Sequence, residues 1–123
     1  MRLIATLLLL TTLPAFAVPP LTTVAEESGF IVHLGLWVMQ EAVRQAARWA
    51  RMGRPIRISV NVSALQFQQA HYVDTVAEAL RDSALPPELL ELELTESILV
   101  HDADEALERL QALAALGIKL AID

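Results

Sequence analysis

Three oxygen-bearing side chains, Asn61, Glu93 and Asp123, recur about 30 residues apart, each at or near the C-terminal end of a segment whose apolar and polar residues alternate. An amide and two carboxylates brought to one place make a donor set for a hard divalent cation, and such oxygens suit Mg2+ or Mn2+ better than zinc. Spacing alone leaves other uses open. Asn61 can cap the turn that follows it, Glu93 can pair with Lys119 or Arg57, and Asp123 can be a disordered terminal carboxylate. Other chemistry-bearing residues carry weaker signals. His33, His71 and His101 share no helical pair and no carboxylate-histidine spacing, so they read as surface or helix-flank residues. Thr95 and Ser97 have no histidine at a triad spacing and read as local hydrogen-bonding residues. The chain has no cysteine, which excludes disulfides, thiolate catalysis and Cys-rich zinc sites.

The elements that would position the three donors follow from hydrophobic period. Ile31, Leu34, Val38, Ala42, Gln45, Ala46 and Trp49 keep mostly helical spacing, and Leu36, Met39, Val43 and Ala47 widen the apolar face. Glu41, Arg44, Arg48 and Arg51 form the polar stripe of that helix, a solvated face rather than a phosphate-binding patch, and Gly53 followed by Pro55 supplies the stop. Residues 56–62 alternate with period two, placing Ile56, Ile58, Val60 and Val62 on one side and Arg57, Ser59 and Asn61 on the other. Ser63 can cap a short turn through Phe67, and Val73, Val76, Ala77 and Leu80 outline a helix ending near Ser83. After the breaker Leu85-Pro86-Pro87, residues 90–94 alternate Leu with Glu. A helix starting at Asp102 or Asp104 carries Ala106, Leu107, Leu110, Leu113, Ala114 and Leu116, and Gly117 closes it. A last strand over 118–123 puts Asp123 on the side of Lys119 and Ala121.

Strands alternating with helices predict an α/β fold with a parallel sheet. Each strand has one apolar and one mixed polar face, which suits a barrel whose inner face approaches an active site better than an open sheet buried on both sides. A (β/α)8 barrel needs about 250 residues. The 123 residues, 54% apolar and 20% charged, therefore predict an incomplete TIM-type barrel of about three parallel strands and their helices. A net charge of -6 argues against DNA, RNA or an anionic membrane as a broad partner. Residues 1–17, with Arg2, the apolar run 3–10 and Pro14-Ala15-Phe16-Ala17, read as a signal-like or anchor-like leader, or as a mistranslated start. Residues 18–123 form the domain fragment.

The string Ser59-Val60-Asn61-Val62-Ser63-Ala64-Leu65-Gln66-Phe67, followed by Leu90-Glu91-Leu92-Glu93-Leu94-Thr95-Glu96-Ser97, resembles the EAL domain family of cyclic di-GMP phosphodiesterases. Upstream, Val24-Ala25-Glu26-Glu27-Ser28-Gly29 with Trp37 is similar to the family's preceding segment, and Leu116-Gly117-Ile118-Lys119-Leu120-Ala121-Ile122-Asp123 is similar to the approach to its Asp-Asp-Phe-Gly motif. The resemblance implies two-metal hydrolysis of one phosphodiester bond in cyclic di-GMP to the linear dinucleotide. It assigns Asn61, Glu93 and Asp123 as ligands of Mg2+ or Mn2+, and Glu96 as support for a mobile loop beside the active site. Two departures stand out. Leu65 occupies a position where arginine is common, and Glu41-Ala42-Val43 lies on the long helix and does not replace the Glu-Ala-Leu signature. The second aspartate of the Asp-Asp pair and a later lysine are expected beyond Asp123, so no complete catalytic set is expected in these residues. The expectation is thus a phosphodiesterase fragment inactive alone, or a noncatalytic interaction or regulatory module, completed by a homodimer or a complementary fragment. The family implies the cytoplasm or the cytoplasmic face of a membrane, whereas the leader suggests export to a new role.

Overall fold

The computed structural model describes residues 29–123 and the backbone of Arg2–Ile4. The expected leader, apart from Arg2–Ile4, and the upstream segment through Ser28 lie outside the described residues. In chain order the elements are β1 (Arg2–Ile4), α1 (Ile31–Arg51), β2 (Arg57–Val62), α2 (Ala64–Phe67), α3 (Tyr72–Ser83), β3 (Leu90–Leu94), α4 (Ala103–Ala115) and β4 (Lys119–Ile122). Short 3-10 turns at Pro87–Leu89 and Glu96–Leu99 flank β3.

All strands run parallel in one sheet of order β1-β2-β3-β4. The three strands legible in the sequence are β2, β3 and β4, and the short edge strand β1 adds a fourth that alternation did not announce. Three residues at the start of an apolar run carry no period to read.

Ile58, Val60 and Val62 from β2 meet Leu90, Leu92 and Leu94 from β3 beneath the helices, and the three leucines are wholly buried. Each such side chain contributes roughly 2 kcal/mol by leaving water. Helix α1 packs on β2 and α3 through Val38, Met39, Ala42, Val43, Ala46 and Ala47. Its buried stripe is narrower than the apolar residues suggest: Leu36 is exposed, and on α4 so are Leu107 and Ala114. Each helix turns one side to the sheet, and residues a third of a turn away reach its rim.

The helix ends are closed by local chemistry. After α1, Arg54 N–H donates to the Trp49 carbonyl at 2.8 Å and Gly53 N–H to Ala50 at 3.1 Å, with Gly53 at φ 78°. This is the paired-bond stop that a left-handed glycine allows. Ser63 Oγ accepts from Gln66 N–H at 3.1 Å while Gln66 Oε1 accepts from Ser63 N–H at 3.1 Å, a reciprocal cap on α2. Asp102 caps α4 by accepting from Glu105 N–H at 3.0 Å. Arg109 ties α4 to α2, donating to the Phe67 carbonyl at 2.7 Å and to Glu105 at 2.6 Å. Among the described residues no helix is long and apolar enough to cross a membrane.

Candidate metal centre

Strand alternation carries every polar residue of the sheet to one face, because successive side chains point to opposite sides. On β2 these are Arg57, Ser59 and Asn61; on β3, Glu91 and Glu93; on β4, Lys119 and Ala121. The register sets Asn61 beside Glu93 and Glu93 beside Ala121, so Asn61 and Glu93 are direct neighbours on adjacent strands. Neighbouring strands lie about 4.8 Å apart, a spacing that two oxygen donors can bridge through one cation. Asp123 continues the ladder: its N–H donates to the Leu94 carbonyl at 2.9 Å. It falls on the face of Ala121, one side-chain repeat beyond Glu93, on the same edge of the sheet as the other two donors. Asn61 and Glu93 are half-buried and Asp123 is exposed, so the row opens toward solvent at Asp123.

The donor chemistry fits a hard divalent cation, with one amide and two carboxylate oxygens and no competing soft ligand. Three side chains are fewer than the roughly six donors such a cation takes, so water or further groups complete the shell. Among the described residues no three His, Cys, Asp or Glu cluster tightly enough to hold a metal, so any site here depends on the Asn61 amide. Neither Lys119 nor Arg57 forms an ion pair with Glu93 among the described residues, which removes the interior pairing that the sequence left open. Glu96 is exposed in the first turn of Glu96–Leu99, directly after the strand end that carries Glu93.

The remaining candidates sort as their spacing suggested. His33, His71 and His101 are exposed, and the Thr95 and Ser97 hydroxyls hydrogen-bond each other. Arg44 pairs with Glu41, and Arg48 and Arg51 are exposed on the same stripe. Helices α1 and α3 enclose a groove of about 460 Å³ lined by Arg44, Arg51, Glu78 and Asp82, on the helical layer rather than at the strand ends. Its mixed charges and distance from the polar strand row give it no part in the donor set.

Sequence reasoning passed over one pair on the polar face. Ser59 Oγ donates to Glu91 Oε2 at 3.2 Å, cross-strand and buried, one side-chain repeat behind Asn61 and Glu93. The signal was present in the alternation, which put Ser59 and Glu91 on one side; their adjacency needed the register, which alternation does not give.

Residues 12–123 match the EAL domain family model. The match begins inside the leader expected over 1–17. MucR of Pseudomonas aeruginosa, described as a bifunctional diguanylate cyclase/cyclic di-GMP phosphodiesterase, is 46% identical over 100 residues, covering 80% of this chain and 15% of MucR. The cyclic di-GMP phosphodiesterase PdeR of Escherichia coli is 36% identical over 108 residues, covering 86% of this chain and 16% of PdeR. The solved PaMucR phosphodiesterase in complex with c-di-GMP superposes with a TM-score of 0.79 at 44% identity, over 84% of this chain and 42% of that one. The chain therefore spans less than a fifth of these curated relatives and under half of the solved domain.

Proposed function

The chain belongs to the EAL domain family and is a partial EAL domain, and from that membership we propose that it is a fragment of a cyclic di-GMP phosphodiesterase in which Asn61, Glu93 and Asp123 hold Mg2+ or Mn2+. The observation that carries the reading is the register of Asn61 with Glu93, with Asp123 on the same face and the same edge of the sheet. Relatives named for cyclic di-GMP hydrolysis supply the substrate class.

Divalent cations, when bound, supply a nucleophile at neutral pH and stabilise charge on the attacking and leaving oxygens. The chain's own share is positional. Asn61 and Glu93 offer paired oxygens from rigid central strands, Asp123 offers a third from the edge strand, and Glu96 stands on the turn that borders them. Three donors leave both cation affinity and the orientation of a phosphodiester short of what hydrolysis requires.

The expected behaviour of the 123-residue polypeptide is weak cation binding without turnover. Incubated with Mn2+ and cyclic di-GMP and followed by chromatography, it should release no linear dinucleotide above a buffer control. Sustained conversion would show that these residues hold a sufficient site and would overturn the fragment reading.

A noncatalytic interaction role is favoured by one feature, the open edge at β4. Ile122 there is 48% exposed, and β4 pairs with β3 alone among the described strands. A second copy or a complementary barrel segment would cover that edge, and unpaired edges are sites of strand addition.

A further inference from the structure

Hydrophobic alternation fixes which face each strand buries but does not fix its register. On β2 the buried side reads Ile58, Val60, Val62, and on β3 it reads Leu90, Leu92, Leu94. A slip of one residue would turn these side chains outward and is forbidden by burial. Sliding by two residues would exchange one branched aliphatic neighbour for another and keep the apolar face intact. The same slip would set Asn61 opposite Glu91 or Thr95 and part it from Glu93. Something on the polar face must therefore distinguish the two-residue alternatives.

Ser59 and Glu91 meet the requirement. They are register partners, Ser59 is fully buried and Glu91 nearly so, and the serine hydroxyl donates to the carboxyl oxygen at 3.2 Å. A buried polar group that loses its partner costs far more than the bond contributes when made. A hydrogen-bonded pair inside a sheet that is otherwise apolar and repetitive thus discriminates among registers, as a single buried polar residue does in helical assemblies.

We propose that the Ser59–Glu91 hydrogen bond is a register lock, and that these two are positioning residues for the cation row one repeat ahead. Cation binding at Asn61 and Glu93 rests on the function proposed above; the lock itself does not.

The test replaces the pair by apolar residues of similar size, Ser59→Val with Glu91→Leu, in the 123-residue chain, and reads register and site separately. Amide-to-amide nuclear Overhauser contacts between β2 and β3 report register, and Mn2+-induced broadening of the Asn61 side-chain amide reports the site. The lock predicts a thermal midpoint no lower than the parent's, since a buried polar pair has been exchanged for packed hydrocarbon. It also predicts a second set of interstrand contacts offset by two residues, and Mn2+ affinity at Asn61 reduced about three- to ten-fold, the scale of one ordinary hydrogen bond. Glu91→Gln keeps an acceptor for the serine and should restore the single register, with Mn2+ affinity within about two-fold of the parent.

A single parental register in the doubly apolar chain would overturn the lock. If that chain does not fold, Ser59→Ala and Glu91→Gln decide instead: a parental register in Ser59→Ala, or an offset register in Glu91→Gln, would be equally contrary. Absence of Mn2+ broadening in the parent would sink the cation reading, while the interstrand contacts would still judge the lock.

Discussion

Gly35 sits on α1 directly over the amide of Gln66. A Cβ built there would come 1.7 Å from Gln66 Nε2 and 2.4 Å from its Cδ. Gln66 is buried and its Oε1 closes the cap of α2, so its side chain cannot swing aside without opening that cap. Gly35→Ala gains up to about 1 kcal/mol of helix propensity but loses a cap and some packing worth roughly 2 kcal/mol. The expected net loss of about 1 kcal/mol should appear as a lower urea midpoint at unchanged slope. Tyr72 presents the opposite case. Its hydroxyl is buried without a hydrogen-bond partner, and burial pushes its phenol well above the usual range. Tyr72→Phe removes an unpaired polar atom while keeping the ring against Phe67, and should raise stability by about 1 kcal/mol in the same titration.

Helix α3 ends on Ala84, which adopts φ 60°, a left-handed conformation that costs a side-chain-bearing residue about 1 kcal/mol. Ala84→Gly should therefore stabilise the fold by roughly 0.5–1 kcal/mol, read as a thermal midpoint a few degrees higher. The glycine stops after α1 and α4 were legible beforehand because Gly53 and Gly117 follow apolar-periodic runs; Ala84 was not, since alanine ordinarily extends a helix. The same contrast runs through the sheet. Alternation placed β2, β3 and β4 within one residue of their observed bounds, and it put Asn61, Glu93 and Asp123 on one face. Lateral order, register and the Ser59–Glu91 contact depend on how strands meet, which no single segment encodes. Exposed Leu36 and Leu107 show the corresponding limit for helices: chemistry marks a residue as apolar, but only its neighbours decide whether it is covered.

At the scale of the whole molecule, four parallel strands with helices on one side are a segment of a closed architecture. The chain superposes on 42% of the solved PaMucR phosphodiesterase, and its polar face is the one that faces inward in a barrel. Strand ends that gather donors at one rim give this segment part of a cation site, while β1 and β4 remain as sheet edges. The central claim, that Asn61, Glu93 and Asp123 share a cation at that rim, is tested most directly by titrating Mn2+ into isotopically labelled protein and mapping paramagnetic line broadening. Loss of signal should concentrate at residues 61, 93 and 123 and their strand neighbours, and Glu93→Gln should abolish it. Broadening centred on the acidic first turn of α4, or unchanged by Glu93→Gln, would contradict the shared site.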